Sequence, residues 1–308
     1  MKALVYKSTG SWYQIKNEAG ETYNARVKGK FKIDNITSTN PIAVGDFVDA
    51  EKEDIAEESV VINNIYPRKN YITRQSPHNK HQHHIIASNL DQSLLFATLK
   101  EPKTSTGFLD RFLVASEAYH VPAIIVFNKS DLFQTKEKEK YQELKDIYEN
   151  IGYRILSMSI SQNTGLEEVK ALLKDKTTLI SGHSGVGKSS FINAVFPELS
   201  LKTQDVSGWS GKGLHTTTFA EMFDLPFGGK IIDTPGMREF ALMDIEEQEV
   251  SHYFPEMREL INECRFNDCM HIDEPGCAVT KSVEEGKISS QRYINYLNIL
   301  SSMEGRKK

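Results

Sequence analysis

Residues 182–189 read Gly-His-Ser-Gly-Val-Gly-Lys-Ser, a glycine-rich run set between a strand pattern and a helix pattern. No other feature constrains the fold as strongly. Backbone N–H groups can turn inward around phosphate oxygens only where the chain is free of side-chain clashes, so glycines at 182, 185 and 187 meet a physical need. Thr177-Thr-Leu-Ile-Ser181 before the run reads as a buried strand, and Ser190–Val195 after it reads as a helix stopped by Pro197. An anion held in such a turn lies at a helix N-terminus, where free N–H groups and the helix dipole favour it. A strand–loop–helix unit of this kind belongs in a doubly wound α/β sheet that binds its ligand at the strand carboxyl ends. The expected phosphate cradle comprises Gly182, His183, Ser184, Gly185, Val186, Gly187, Lys188, Ser189 and Ser190. Lys188 is placed to reach the β- and γ-phosphates, and the Ser189 hydroxyl to bind Mg²⁺.

Two tetrapeptides complete the pattern, but in an unusual order. Asp233-Thr-Pro-Gly236 follows the strand-like Lys230-Ile-Ile. There Asp233 is expected to hold Mg²⁺ through water, and the Gly236 N–H to face the γ-phosphate. Asn128-Lys-Ser-Asp131 follows the apolar run Ala123-Ile-Ile-Val-Phe127, suited to a buried parallel strand. Asp131 can accept from N1–H and the 2-amino group of guanine, donors that adenine lacks, so a pocket built on it discriminates for guanine. Asn128 and the stem of Lys129 shape the rest of that pocket, and Ser159 stands where a second guanine contact is expected. In an ordinary GTPase the guanine reader follows the other two motifs. Here it precedes them, which predicts a circularly permuted GTPase domain. Between the P-loop and Asp233 lies Gly211-Lys-Gly-Leu-His-Thr-Thr-Thr218, a polar, glycine-rich stretch that reads as a switch loop. A GTPase needs one threonine there to close over Mg²⁺ and the γ-phosphate, and three stand in a row.

The 308 residues allow two or three domains, and 39% hydrophobic with 26% charged residues describes an ordinary soluble protein. No apolar run approaches the length of a membrane span, and Met1-Lys-Ala-Leu-Val-Tyr-Lys lacks a signal-peptide core, so a cytoplasmic location is expected. A net charge of −5 does not mark a general nucleic-acid binder; any RNA surface must be local. All three cysteines, Cys264, Cys269 and Cys277, fall in a C-x4-C-x-H-x5-C cluster with His271. Three thiolates and one imidazole complete a tetrahedral zinc site with no open position, which predicts one structural Zn²⁺ per chain.

Residues 1 to about 70 hold five short β-forming runs separated by turn signals, the spacing of a small barrel such as an OB-fold. Arg26, Lys28, Lys30 and Lys32 alternate there. Two readings fit them, a nucleic-acid track and a strand edge guarded by charge. Residues 71–86, with His78, His81, His83 and His84, read as a polar linker with incidental RNA contact. From about 87 to 245 strands and helices alternate. Beyond 245 the chain turns helical, and Tyr293, Tyr296, Leu297 and Leu300 recur on one helix face as a core stripe.

A β-barrel, a permuted GTPase and a C-x4-C-x-H-x5-C motif together resemble the RsgA family, also called YjeQ or EngC, over nearly the whole chain. Ser88-Asn-Leu-Asp-Gln92 and Leu109-Asp-Arg-Phe-Leu113 also look like family segments. The resemblance implies a multi-domain chain: an OB-fold RNA-binding domain at 1–72, a permuted GTPase domain at 73–245, and a mostly α-helical zinc-binding domain at 246–308. It implies GTP/GDP, Mg²⁺ and Zn²⁺ as ligands, and the 30S ribosomal subunit and its 16S rRNA as partners. It further implies action late in 30S maturation near the decoding region, with GTP hydrolysis stimulated by the subunit and followed by release. No membrane partner is expected, and a monomer is. The rival assignment is a permuted GTPase with a different RNA or ribosomal partner. Thr217 best matches the family's metal-sensing switch residue, and Leu214 departs from the basic residue expected before the histidine. Ras-like enzymes place a water-orienting glutamine after the DxxG glycine, whereas this chain has Met237. His215 in the switch loop is the candidate that replaces it; a hinge or rRNA contact is its other reading.

Overall fold

The structure, a computed structural model of the chain, describes residues 1–10, 12–27, 41–52, 59–75, 83–199, 220–234, 242 and 245–304. Five strands come first: β1 (Lys2–Ser8), β2 (Tyr13–Asn17), β3 (Thr22–Val27), β4 (Phe47–Lys52) and β5 (Ser59–Ile65). They pair in the order β1-β2-β3-β5-β4, and β4 returns to β1, closing the barrel. β3 and β5 run parallel and the other pairs antiparallel, the arrangement of an OB-fold. Alternation builds the interior: Ala3, Val5, Ile15, Ala25, Val48, Ala50 and Ile62 turn inward and are buried. Of the alternating basic residues, Arg26 is exposed on β3, and Lys28, Lys30 and Lys32 lie outside the described residues.

One expectation is corrected. Residues 71–86 are not irregular throughout: β6 (Tyr71–Gln75) and β7 (His83–Ser88) form a two-stranded antiparallel ribbon. Its polar composition hides the strands because few residues carry the burial, with Ile72 and Ala87 fully covered by the main core. His83 and His84 lie on β7, and His78 and His81 fall outside the described residues.

The nucleotide-binding region follows as β8 (Gln92–Ala97), α1 (Thr106–Ala118), β9 (Ala123–Phe127), α2 (Thr135–Glu149), β10 (Arg154–Ser157), α3 (Leu166–Leu173), β11 (Thr177–Ser181), α4 (Lys188–Val195), β12 (Glu221–Asp224) and β13 (Lys230–Asp233). The strands lie in the order β10-β9-β8-β11-β13-β12, all parallel except β12. The chain enters at the centre on β8, runs outward through β9 to β10, and returns on the other side of β8 as β11. That path is the permutation: the strand before the guanine motif is laid down before the strand that feeds the P-loop. Apolar layers cover both faces, one including Leu95, Phe112 and Ile125, the other Leu94, Phe191 and Ile231.

The barrel is stitched onto this sheet. Lys7 of β1 pairs with Glu221 of β12. Beside them Asp224 accepts from Tyr6 at 2.7 Å and Lys16 at 2.6 Å, and pairs with Lys230 at 2.9 Å. Burial works against the Asp224 charge, yet these partners hold its pKa at about 2. A second joint forms at Gly45-Asp46. Asp46 is fully buried and accepts two bonds from Arg68, at 2.7 and 2.6 Å, and one from Ser88 at 2.6 Å. Gly45 has φ +94°, and a Cβ there would lie 2.2 Å from the Ser88 carbonyl oxygen. The family-like segment at Ser88 thus anchors the barrel.

The last part contains α5 (Pro255–Arg258), α6 (Ala278–Glu284) and α7 (Ser290–Glu304). The expected stripe on α7 is core: Tyr296 and Leu300 are buried, and Tyr293 and Leu297 pack partly buried beside them. α7 lies against α1. Between them sits a buried polar network. Arg292 donates to Asp110 at 2.6 Å and to Glu256 at 2.7 and 3.0 Å, and Asp110 also accepts from Tyr148 at 2.7 Å and Asn295 at 2.5 Å. Asp110 and Arg292 are 0% and 2% exposed, so the Asp110 carboxylate depends on Arg292 for its counter-charge, and Arg292 is matched by Asp110 and Glu256. Removing one partner of a buried pair costs about 3–5 kcal/mol. Arg292→Met is expected to destabilise the chain on that scale in chemical denaturation, whereas Arg154→Met, which breaks an exposed pair with Glu168, should cost about 1 kcal/mol or less.

Candidate nucleotide-binding site and metal centre

The carboxyl ends of β8, β9, β11 and β13 meet at one edge of the sheet. β11 ends at Ser181 and leads into the glycine loop, which delivers the chain to α4 at Lys188. Gly182 takes φ +138°, and a Cβ there would lie 2.3 Å from the Phe96 carbonyl oxygen on β8. Gly187 takes φ +97°, and a Cβ there would lie 2.2 Å from Nδ2 of Asn128. The glycines are therefore required by close approach as well as by loop geometry. Val186 is buried beneath the loop, Ser184 is exposed, and Ser189 and Ser190 are partly covered on the first turn of α4. The His183 ring packs on Phe108 of α1 with centroids 3.7 Å apart.

The Lys188 ammonium donates to the carbonyls of Gly182 at 2.7 Å and His183 at 2.8 Å. Burial lowers its pKa, opposed by the nearby carboxylate of Asp233. Asp233, at the end of β13, is buried, and burial raises its pKa against the pull of Lys188 and the Thr234 amide. Its Oδ1 has no hydrogen-bond partner among the described residues. A buried carboxylate oxygen in that condition is costly unless a cation completes it. Asp233 and Ser189 thus fit a divalent ion beside a phosphate chain.

Asn128 is buried where β9 ends, and its Nδ2 donates to the Val186 carbonyl at 2.9 Å. The base-side motif therefore braces the phosphate loop directly. Asn128 Oδ1 has no partner among the described residues. Lys129 takes the left-handed conformation at φ 61°, which turns the chain outward, and its ammonium donates to the Glu101 carbonyl. Asp131 is exposed, and one of its oxygens accepts from the Ser159 hydroxyl at 2.5 Å. Ser159 lies on the turn after β10, itself buried. Two details go beyond the sequence reading. Ser159 orients the carboxylate through its side chain, and Asp131 would be desolvated only once a base covers it. His215, Thr217, Leu214, Gly236 and Met237 lie outside the described residues.

Cys264, Cys269, His271 and Cys277 converge so that their ligand atoms all lie within 4.8 Å of one another. His271 Nδ1 is 3.6 Å from Cys264 Sγ and 3.4 Å from Cys277 Sγ, and those sulfurs are 4.0 Å apart. Tetrahedral zinc with ordinary bond lengths sets such edges at about 3.5–3.8 Å, so the cluster has the size of a Cys₃His zinc site. Burial lowers the His271 pKa, which keeps the imidazole neutral as a ligand must be. α7 fixes the loop: Tyr293 donates to the His271 carbonyl and Tyr296 to the Met270 carbonyl, both at 2.7 Å.

Comparison with known proteins matches this arrangement from end to end. The RsgA GTPase family model matches residues 65–243, and the RsgA N-terminal domain model residues 2–60. The chain belongs to the RsgA GTPase family. A relative from Cytophaga hutchinsonii is 53% identical over 97% of this chain and 98% of its own length. One from Flavobacterium psychrophilum is 50% identical over 97% and 92%. Both are named small ribosomal subunit biogenesis GTPase RsgA. Among solved structures, YjeQ from Thermotoga maritima superposes with a TM-score of 0.77 at 35% identity, covering 99% of this chain and 98% of that one. YloQ, described as a circularly permuted GTPase, gives 0.74 at 30% identity, covering 100% and 96%.

Two residues of consequence escaped the sequence reading. Phe108 supports the P-loop through His183, and Asp110 ties α1 to α7; Asp110 lay within the family-like segment Leu109–Leu113, but no sequence pattern assigned its role. Asp131→Asn is expected to exchange the acceptor carboxylate for an amide and shift preference from GTP toward XTP, read by competition binding. Unchanged GTP preference would remove Asp131 from the base pocket. Protein purified without added metal is expected to carry one zinc per chain by elemental analysis, and Cys269→Ser to lose it and unfold the C-terminal part at lower denaturant.

Proposed function

We propose that this chain hydrolyses GTP on the small ribosomal subunit during the subunit's late maturation, binding 16S rRNA near the decoding region and leaving after hydrolysis. One observation carries the reading: a guanine-type pocket, a P-loop and an orphaned Asp233 oxygen share one sheet edge, joined to a barrel and a Cys₃His module. Relatives bearing the small-subunit name at about half identity over the full chain support it. The functional units are 1–72, 73–245 and 246–308. Among the described residues no helix is long and apolar enough to cross a membrane. The protein works as a cytoplasmic monomer.

Each residue has a role in this reading. Asp131, oriented by Ser159, accepts from guanine, while Asn128 and the Lys129 stem flank the base. The amides of 182–190 wrap the phosphates. Lys188 exchanges its two carbonyl partners for phosphate oxygens, so its burial strengthens the attraction. Ser189, Thr217 and Asp233 would hold Mg²⁺, which when bound would supply positive charge to the β- and γ-phosphates. The Gly236 N–H is expected to face the γ-phosphate. Zn²⁺ on Cys264, Cys269, His271 and Cys277 is structural, contributing folding energy to the C-terminal module.

Met237 cannot orient water, so the isolated enzyme is expected to be slow, at roughly 10⁻⁴ to 10⁻² per second. The 30S subunit is expected to accelerate it by aiming His215 toward the attacking water. GTPase assays with and without purified 30S subunits test this. His215→Ala should keep GTP affinity and 30S binding while losing most of the stimulated rate. Thr217→Ala should instead weaken GTP-dependent subunit binding. Full stimulation in His215→Ala would transfer the role to a ribosomal group, and no stimulation of the wild type by 30S would end the proposal.

A further inference from the structure

A row of charges crosses from the barrel to the magnesium-side carboxylate. Lys7 on β1 stands opposite Glu221 on β12, and Glu221 stands opposite Asp233 on β13. Residues directly opposed in antiparallel strands share a face, with Cβ atoms about 4.5–5.5 Å apart. Glu221 is therefore flanked on one face by a lysine and an aspartate. Lys7 Nζ lies 2.9 Å from Glu221 Oε2, and both side chains are mostly covered, at 33% and 25% exposure. Asp233 feels the other side of the row. Its carboxylate stands directly across from Glu221 on the same face of the sheet. Like charges directly opposed across strands repel unless a cation lies between or beside them. Lys7 supplies that cation for Glu221, whereas Asp233 Oδ1 has none of its own hydrogen-bond partners among the described residues.

We propose that Glu221 is a positioning residue for magnesium: its carboxylate accepts from water on an ion held at Asp233, and Lys7 limits how strongly it does so. This rests on Asp233 as the magnesium anchor. Glu221 lies on β12, directly after the switch-loop segment, and Lys7 belongs to the barrel. Magnesium affinity is thus set across the seam between two modules. A partner that drew β1 away from β12 would leave Glu221 uncompensated and tighten the hold on the ion.

The test uses the full chain and Mg²⁺ itself, read by equilibrium binding of fluorescent GDP as free Mg²⁺ is titrated in chelator buffer. Glu221→Gln is expected to raise the Mg²⁺ concentration at half-effect by about tenfold, the scale of losing a hydrogen bond in a metal's outer sphere. Lys7→Met is expected to shift it the other way, by about threefold, since an unmasked charge attracts the ion. The double variant should follow Glu221→Gln. Opposite signs separate this from a merely structural ion pair, whose loss would shift both variants alike; shifts of the same sign overturn the proposal. If Glu221→Gln fails to fold, Lys7→Met still decides, because unchanged or weaker magnesium dependence overturns it. Asp233→Asn is the control for the premise. Unchanged magnesium dependence in that variant sinks the anchor and the proposal together. A shift there, with Glu221→Gln unchanged, sinks the proposal alone.

Discussion

Parallel pairing of β8, β9, β11 and β13 is the constraint on which the nucleotide site depends. A parallel sheet points all its carboxyl ends one way, so loops far apart in the chain emerge together. The register is tight: Phe96 of β8 sits beside the loop that leaves β11, and Asn128 after β9 reaches the Val186 carbonyl. Chain order is irrelevant to this geometry. A permuted chain fills the same places because pairing depends on neighbours in the sheet, not on succession in sequence. The permutation alters what is attached where: the C-terminal part follows β13 in sequence, and the chain enters the sheet centre at β8.

Polar contacts, more than apolar ones, set the angles between the parts. Asp46 with Arg68 and Ser88, Asp224 with Lys16 and Tyr6, and Asp110 with Arg292 each span two parts of the molecule. Hydrophobic burial tolerates sliding, whereas a hydrogen-bonded charge pair has one good geometry. The two buried pairs, Asp46–Arg68 and Asp110–Arg292, contribute little net stability over an apolar replacement, but breaking either is costly.

Much of this was legible in the residues. Thr177–Ser181 and Ala123–Phe127 are strands with the expected bounds, because short apolar runs bounded by turn residues have few alternatives. The P-loop, the guanine tetrapeptide and the Cys/His cluster could be read because their chemistry fixes residue types at fixed spacing. β6 and β7 could not, since their burial rests on a few side chains amid histidines and other polar residues. Nor could the partners of Asp110: an acidic residue in a helix is ordinarily solvated, and only the fold brings Arg292, 182 positions later, against it. Ser159 was placed near the base for its position, and its hydroxyl's bond to Asp131 emerged only in three dimensions.

α1 is the element that the phosphate site and the C-terminal part share. At its first turn Phe108 packs on His183 of the P-loop, and two residues later Asp110 holds Arg292 of α7. A rearrangement of the C-terminal part relative to the P-loop must therefore either carry α1 with it or break a buried ion network. The second route costs several kcal/mol, comparable to the whole bias a ligand needs to reverse a two-state equilibrium. The first must also drag Leu109, Phe112, Leu113, Val114 and Ala115 of α1 out of the layer they form against the sheet. Packing thus ties α7, α1 and the sheet into one body, and the ring of His183 rests against it next to where the phosphates would lie.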